Sequence, residues 1–161
     1  MDSGGPHTGT RRRRRPRSVV LLVCLLGFMG TSATGGGIAL MADRGAAPPQ
    51  EWLDRIPLVD SWLVPGLILG LGFGIGSLLT AYGMLRLPHW PLLGFAERRT
   101  GEHWSWAATI LIGAGHVAWI ALELVYLPEL SALQVVYGGL GLALVTVPLR
   151  PAVREHLRLG I

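Results

Sequence analysis

Between Ser18 and Met41 the chain runs for two dozen residues without one charged side chain. A helix of that length reaches about 36 Å, more than the roughly 30 Å of a hydrocarbon core. Three further stretches repeat the pattern. Residues 62–85, 104–127 and 133–149 are apolar, and polar or Pro-rich connections separate them. In lipid every backbone N–H and C=O must be satisfied within the protein, so segments like these fold as helices. The expected fold is all-α: a four-helix transmembrane bundle over residues 18–149, flanked by a disordered Arg-rich tail (1–17) and a short basic tail (150–161).

A cleavable signal peptide is the rival reading of the first span, because RRRRRPR followed by VVLLVCLLGFMG and TSA has that layout. The apolar run continues through GGGIALMA, which favours a retained helix. Cys24 follows Leu-Leu-Val, without the small residue a lipid-attachment site needs. As the single cysteine it also excludes an internal disulfide, a CxxC pair and a Cys-based zinc site.

Charge sets the expected topology. All 14 basic residues are Arg. Twelve lie in the two tails and the 86–103 loop, leaving Arg44 and Arg55 in the 43–61 loop. The positive-inside rule then places both termini in the cytoplasm of a multi-pass plasma-membrane protein. Arg11, Arg12, Arg13, Arg14 and Arg15 are expected at anionic lipid head groups rather than on nucleic acid. In the 43–61 loop, Trp52 and Trp62 read as interfacial anchors. QEWLDRI reads as a short surface turn with Trp52, Leu53 and Ile56 toward lipid. Val153 and Leu157 share one side of a short helix in the basic tail.

Packing signals are strongest in the second span. Gly66, Gly70 and Gly74 recur every four residues, with Gly72 and Gly76 on a neighbouring line. This small-xxx-small spacing lets helices approach closely. GLGFGIG is not a phosphate loop, because no Lys follows and no strand precedes it. Gly138 and Gly141 share a stripe with Gln134 on the fourth span.

Polar chemistry concentrates in GHVAWIALELVYLP, Gly115 to Pro128. His116 and Glu123 fall within about 20° of one line on a helical wheel and about 10 Å apart along the axis. Thr109, Gly113 and Ile120 share the stripe and Trp119 borders it. Ala107, Ala114, Ala118 and Val125 form a small-residue face opposite, expected to pack on a second neighbour. Glu123 is expected to face the bundle and meet Gln134 and Tyr137 from the fourth span, since a carboxylate facing hydrocarbon costs several kcal/mol. His116, Glu123, Gln134 and Tyr137 are therefore the candidate intramembrane polar site. His89 and His103 are 14 residues apart and lack ligand spacing; no metal or cofactor is expected.

TGGGIALMADRG, WLDRIPLVDSWLVPGLILGLGFG and GHVAWIALELVYLPELSALQVVYGGLGLAL together resemble a family of small four-span bacterial integral membrane proteins. The resemblance implies the fold and span count and carries no activity. No paired carboxylates or Ser/His/Asp set stands at one depth, so the expected role is non-enzymatic: an accessory or membrane-organising protein in contact with the bilayer, as a homo-oligomer or with a membrane partner. The alternative is an oligomeric small-molecule or ion transporter using Glu123 and His116.

Overall fold

The computed structural model describes residues 15–42, 48–57, 59–126 and 131–159. Arg11 to Arg14, Asp43, Arg44 and the 127–130 link lie outside them. The described residues hold seven helices: α1 (Arg17–Met41), α2 (Gln50–Leu53), α3 (Leu63–Arg86), α4 (Gly94–Thr100), α5 (Trp104–Tyr126), α6 (Ala132–Leu149) and α7 (Pro151–Leu157). Four of them, α1, α3, α5 and α6, are long and apolar enough to cross a membrane. The architecture is all-helical and that of a membrane protein.

Local chemistry sets the helix ends. Pro16 precedes α1, and Pro65 sits in the first turn of α3, where a missing N–H is harmless. α3 stops at Leu87, which adopts a left-handed conformation (φ 49°) and passes its N–H to the Gly83 carbonyl before Pro88. Gly101, also left-handed (φ 71°), ends α4. The last turn of α6, Val147–Leu149, tightens into a 3₁₀ turn around Pro148. Hydroxyls inside the spans bond back onto their own helices. Thr34, Thr80, Thr109 and Thr146 each donate to the carbonyl four residues earlier.

Consecutive long helices are antiparallel, which brings the start of α1 and the end of α6 to one end of the bundle, here the near end. The glycines make the contacts. A Cβ at Gly37 of α1 would lie 2.5 Å from the Gly70 nitrogen and 2.6 Å from the Gly66 carbonyl oxygen. One at Gly66 would meet Met41, and one at Gly74 would collide with Thr34. The Gly66–Gly70–Gly74 stripe thus lies on α1. Gly113 and Gly141 form the corresponding contact between α5 and α6, and Gly138 meets Ile120. Gly72 faces open space.

α1 pairs with α3 and α5 with α6 along their lengths. Between the pairs, α3 touches α5 mainly through its near-end half. There the Trp104 ring leaves no room for a side chain at Gly83. Val19, Leu22, Leu26, Met29, Ala81, Met84, Leu140 and Leu144 fill that half, closed below by Val147, Val153 and Leu157. Toward the far end the pairs part. In that half of α3 residues Ile68–Ile75 form a π-helical segment instead of continuing as α-helix.

Three expectations need correction. Leu53 is fully buried against the bundle rather than turned to lipid. Ala114, Ala118 and Val125 are exposed, so the small-residue face of α5 has no partner among the described residues. The basic tail is also docked. The His103 N–H donates to the Leu157 carbonyl and the Leu159 N–H to Gly101, while Val153 and Leu157 are buried. Arg154 Nε donates to Glu102 Oε1 at 3.1 Å and its guanidinium lies over Trp106. At the same end the exposed Arg15 donates to the Leu85 carbonyl at the end of α3.

Candidate functional site

Where the helix pairs part, a cavity of about 350 Å³ opens between α1, α5 and α6 beneath α2. His116, Trp119, Ile120 and Glu123 come from α5, Gln134 and Tyr137 from α6, Ser32 and Gly36 from α1. Trp52 of α2 and Leu69 of the π segment complete the wall. All four sequence-chosen polar residues therefore line one space.

Glu123 stands one turn from the far end of α5 and is half-buried. Its Oε1 accepts from Trp119 Nε1 at 2.6 Å, a pair on adjacent turns of one helix. Gln134 also interacts with the carboxyl. The Gln134 Oε1 already accepts the Ser131 backbone N–H at 3.1 Å, so the NH₂ group is what the amide has left to offer an acid. The Ser131 Oγ in turn accepts from Leu133 N–H. This reciprocal capping box starts α6 and fixes Gln134 in place.

His116 sits near the middle of α5 and is 3% exposed. Phe73 of α3 meets its ring edge-on at 5.0 Å between centroids, and Tyr137 does so at 5.7 Å. Neither ring nitrogen has a hydrogen-bond partner among the described residues. Phe73 also packs on Trp119, which links the two polar residues through one aromatic cluster.

A second cavity, about 390 Å³, lies on the other side of Trp119 and Glu123. Ile56, Pro57, Trp62, Pro65, Leu122 and Tyr126 line it. Apart from Glu123 its walls carry no ionisable carboxyl, imidazole or basic group. The Trp119–Glu123 pair is a partition that both spaces share.

Two contacts were readable in the sequence but passed over. Trp119 and Glu123 have the (i, i+4) spacing of neighbours on a helix, and Ser131-Ala132-Leu133-Gln134 has the S-x-x-Q form of a capping box. The place of Trp52 and Ser32 in the wall had no sequence signal, since it depends on how α2 and α1 dock.

A separate polar cluster forms at the near end. His103, 1% exposed, has Nε2 at 3.1 Å from the Pro88 carbonyl and Nδ1 at 2.9 Å from Ser105 Oγ. Glu97 approaches His89 at 3.5 Å and His103 at 3.9 Å. Burial pushes the His103 pKa below its ordinary 6.5; the Pro88 carbonyl and the Glu97 charge oppose this, and His89 adds to it. Among the described residues no group of three His, Cys, Asp or Glu is set to hold a metal.

No family model matches the chain, and neither the curated proteins nor the solved structures contain a match. The functional reading rests on the geometry.

Proposed function

We propose that this is a non-enzymatic integral membrane protein of the plasma membrane, acting by association with another membrane protein or a second copy rather than by conducting a solute. The supporting observation is where the polar cavity stops along the bundle. Its groups lie in the middle and far-end half of the bundle. The near-end half below them is packed around Leu22, Leu26, Met29, Met84, Leu140 and Leu144, and the hydroxyls buried beside that core, Thr80 and Thr109, are bonded back to their own helices. A pathway for a polar solute needs continuous polar lining, because a dehydrated charge in such a core is costly. The charge distribution supports a cytoplasmic position for both termini. Among the described residues Arg15, Arg17, Arg86, Arg98, Arg99, Arg150, Arg154 and Arg158 belong to near-end segments, against Arg55 at the other.

The second reading is transport by an oligomer. It is favoured by one observation: His116 and Glu123 open onto the same cavity. Affinity purification from membranes in mild detergent separates the two. The accessory reading expects a stoichiometric partner protein, and purified protein in proteoliposomes should show no solute or proton flux. Flux that Glu123→Gln abolishes, in a homo-oligomer without other proteins, would replace it with the transport reading.

A further inference from the structure

We infer that the 350 Å³ cavity is a binding site for a lipophilic amine, with an ammonium head at Glu123 and a hydrogen-bonding tail at His116. The inference does not depend on the accessory role, since a pocket can bind a ligand whatever the protein assembles with.

Charge selects the head. Among the described residues Glu123 is the only charged side chain in the wall of this cavity and of its neighbour, and none of them forms an ion pair with it. Its hydrogen bond from Trp119 and the contact with Gln134 hold the carboxyl in a fixed orientation without neutralising it. Trp52, Trp119 and Tyr137 surround the same space, and aromatic faces attract cations. An anionic ligand would meet a carboxylate and three aromatic rings, with no basic group among the described lining residues to offset them.

The tail is selected by His116. Buried polar groups are nearly always paired, and each one left unpaired costs about 1–3 kcal/mol. Both His116 nitrogens are buried without a partner among the described residues while the residue lines the cavity. The nitrogens are covered where Phe73 and Tyr137 pack on the ring, so a ligand hydroxyl or amide answers that need by displacing one of these side chains, and a neutral imidazole both donates and accepts. The seven-residue step from His116 to Glu123 separates the two polar ends by roughly 10 Å along the helix. Ile120 and Leu69 lie between them as an apolar waist. A cavity of this volume is at the small end of the usual range for ligand sites, about 300–1,000 Å³, which fits a single-ring amine.

Three probes test this on the full-length protein in an uncharged detergent by calorimetric titration: tyramine, phenethylamine, which lacks the hydroxyl, and 3-(4-hydroxyphenyl)propionate, which carries an acid in place of the amine. Tyramine binds, phenethylamine binds several-fold more weakly, and the acid gives no saturable heat. Glu123→Gln weakens both amines by about tenfold or more, as expected for loss of a charge-assisted hydrogen bond. His116→Phe keeps a ring and abolishes the preference for tyramine. Trp52→Ala, in the short α2 rather than in a span, weakens both amines and serves if Glu123→Gln does not fold. The inference is overturned by acid binding equal to amine binding, by no amine binding to the wild type, or by a tyramine preference that survives His116→Phe. Amine affinity unchanged in Glu123→Gln and Trp52→Ala overturns it as well.

Discussion

His103 and His116 are buried to nearly the same degree, at 1% and 3% exposure, and differ in what reaches their nitrogens. His103 is served on both sides. Its Nε2–H donates to the Pro88 carbonyl, and its Nδ1 accepts from Ser105, whose backbone N–H also points at it from 3.3 Å. That arrangement fits the neutral ring, since a proton on Nδ1 would face the Ser105 N–H. The stability consequence has a definite sign. With the folded pKa below 6.5, the unfolded chain takes up the proton first as pH falls, so the His103 contribution is complete above that value and is lost below it. Thermal midpoints in detergent should drop as the pH falls below 6.5 in the wild type and drop less in His103→Gln. Parallel curves would show that the ring is not the titrating group. His116 has no such partners, and the difference was invisible in sequence. Both are single histidines in or beside an apolar run, and only the fold decides that Pro88 returns to one of them.

At the level of the helix, α3 shows what a spacing rule captures and where it stops. The every-four recurrence of Gly66, Gly70 and Gly74 was legible as a close-approach stripe, and Gly37 of α1 lies against it. In an ideal α-helix such a stripe drifts by about 40° per repeat. The wider π segment turns less per residue, which holds the three glycines toward α1. Nothing in ILGLGFGI announces that choice, because it is made by the fit to a neighbouring backbone. Gly37→Ala forces a methyl group against backbone atoms at 2.5 and 2.6 Å, which cannot yield as a side-chain tip would. It should cost about 1–3 kcal/mol of stability. Gly139→Ala, in open space on α6, should leave stability unchanged or raise it by up to about 1 kcal/mol. Unfolding in detergent measures both, and equal losses would mean that close packing of α1 on α3 is not what the glycine provides. The α5 wheel was half legible. Its polar stripe is buried as far as Ile120, but its alanine face is bare, because amphipathicity tells which residues share a face and not how many neighbours a helix has.

For the molecule as a whole, the four apolar runs were enough to read an all-helical bundle, since their length and their near-absence of charge, with Glu123 the exception, leave no other solution in lipid. The pairing of α1 with α3 and of α5 with α6, the gap between the pairs, and the docking of the last helix beneath Trp106 were not readable. They depend on contacts between residues dozens of positions apart, such as Arg154 with Glu102 and Trp106 with the Pro148 carbonyl. The gap is also what turns four scattered polar residues into the wall of one site. The even number of antiparallel crossings has a further effect on how the protein can be mapped. Arg15 rests on the end of α3, and Leu159 is tied to Gly101, so the two ends of the described chain emerge together. Reporters that light up on only one side of a membrane, fused ahead of α1 in one strain and after α7 in another, must agree with each other whichever way the bundle is inserted. Disagreement would mean that one of the four helices does not cross.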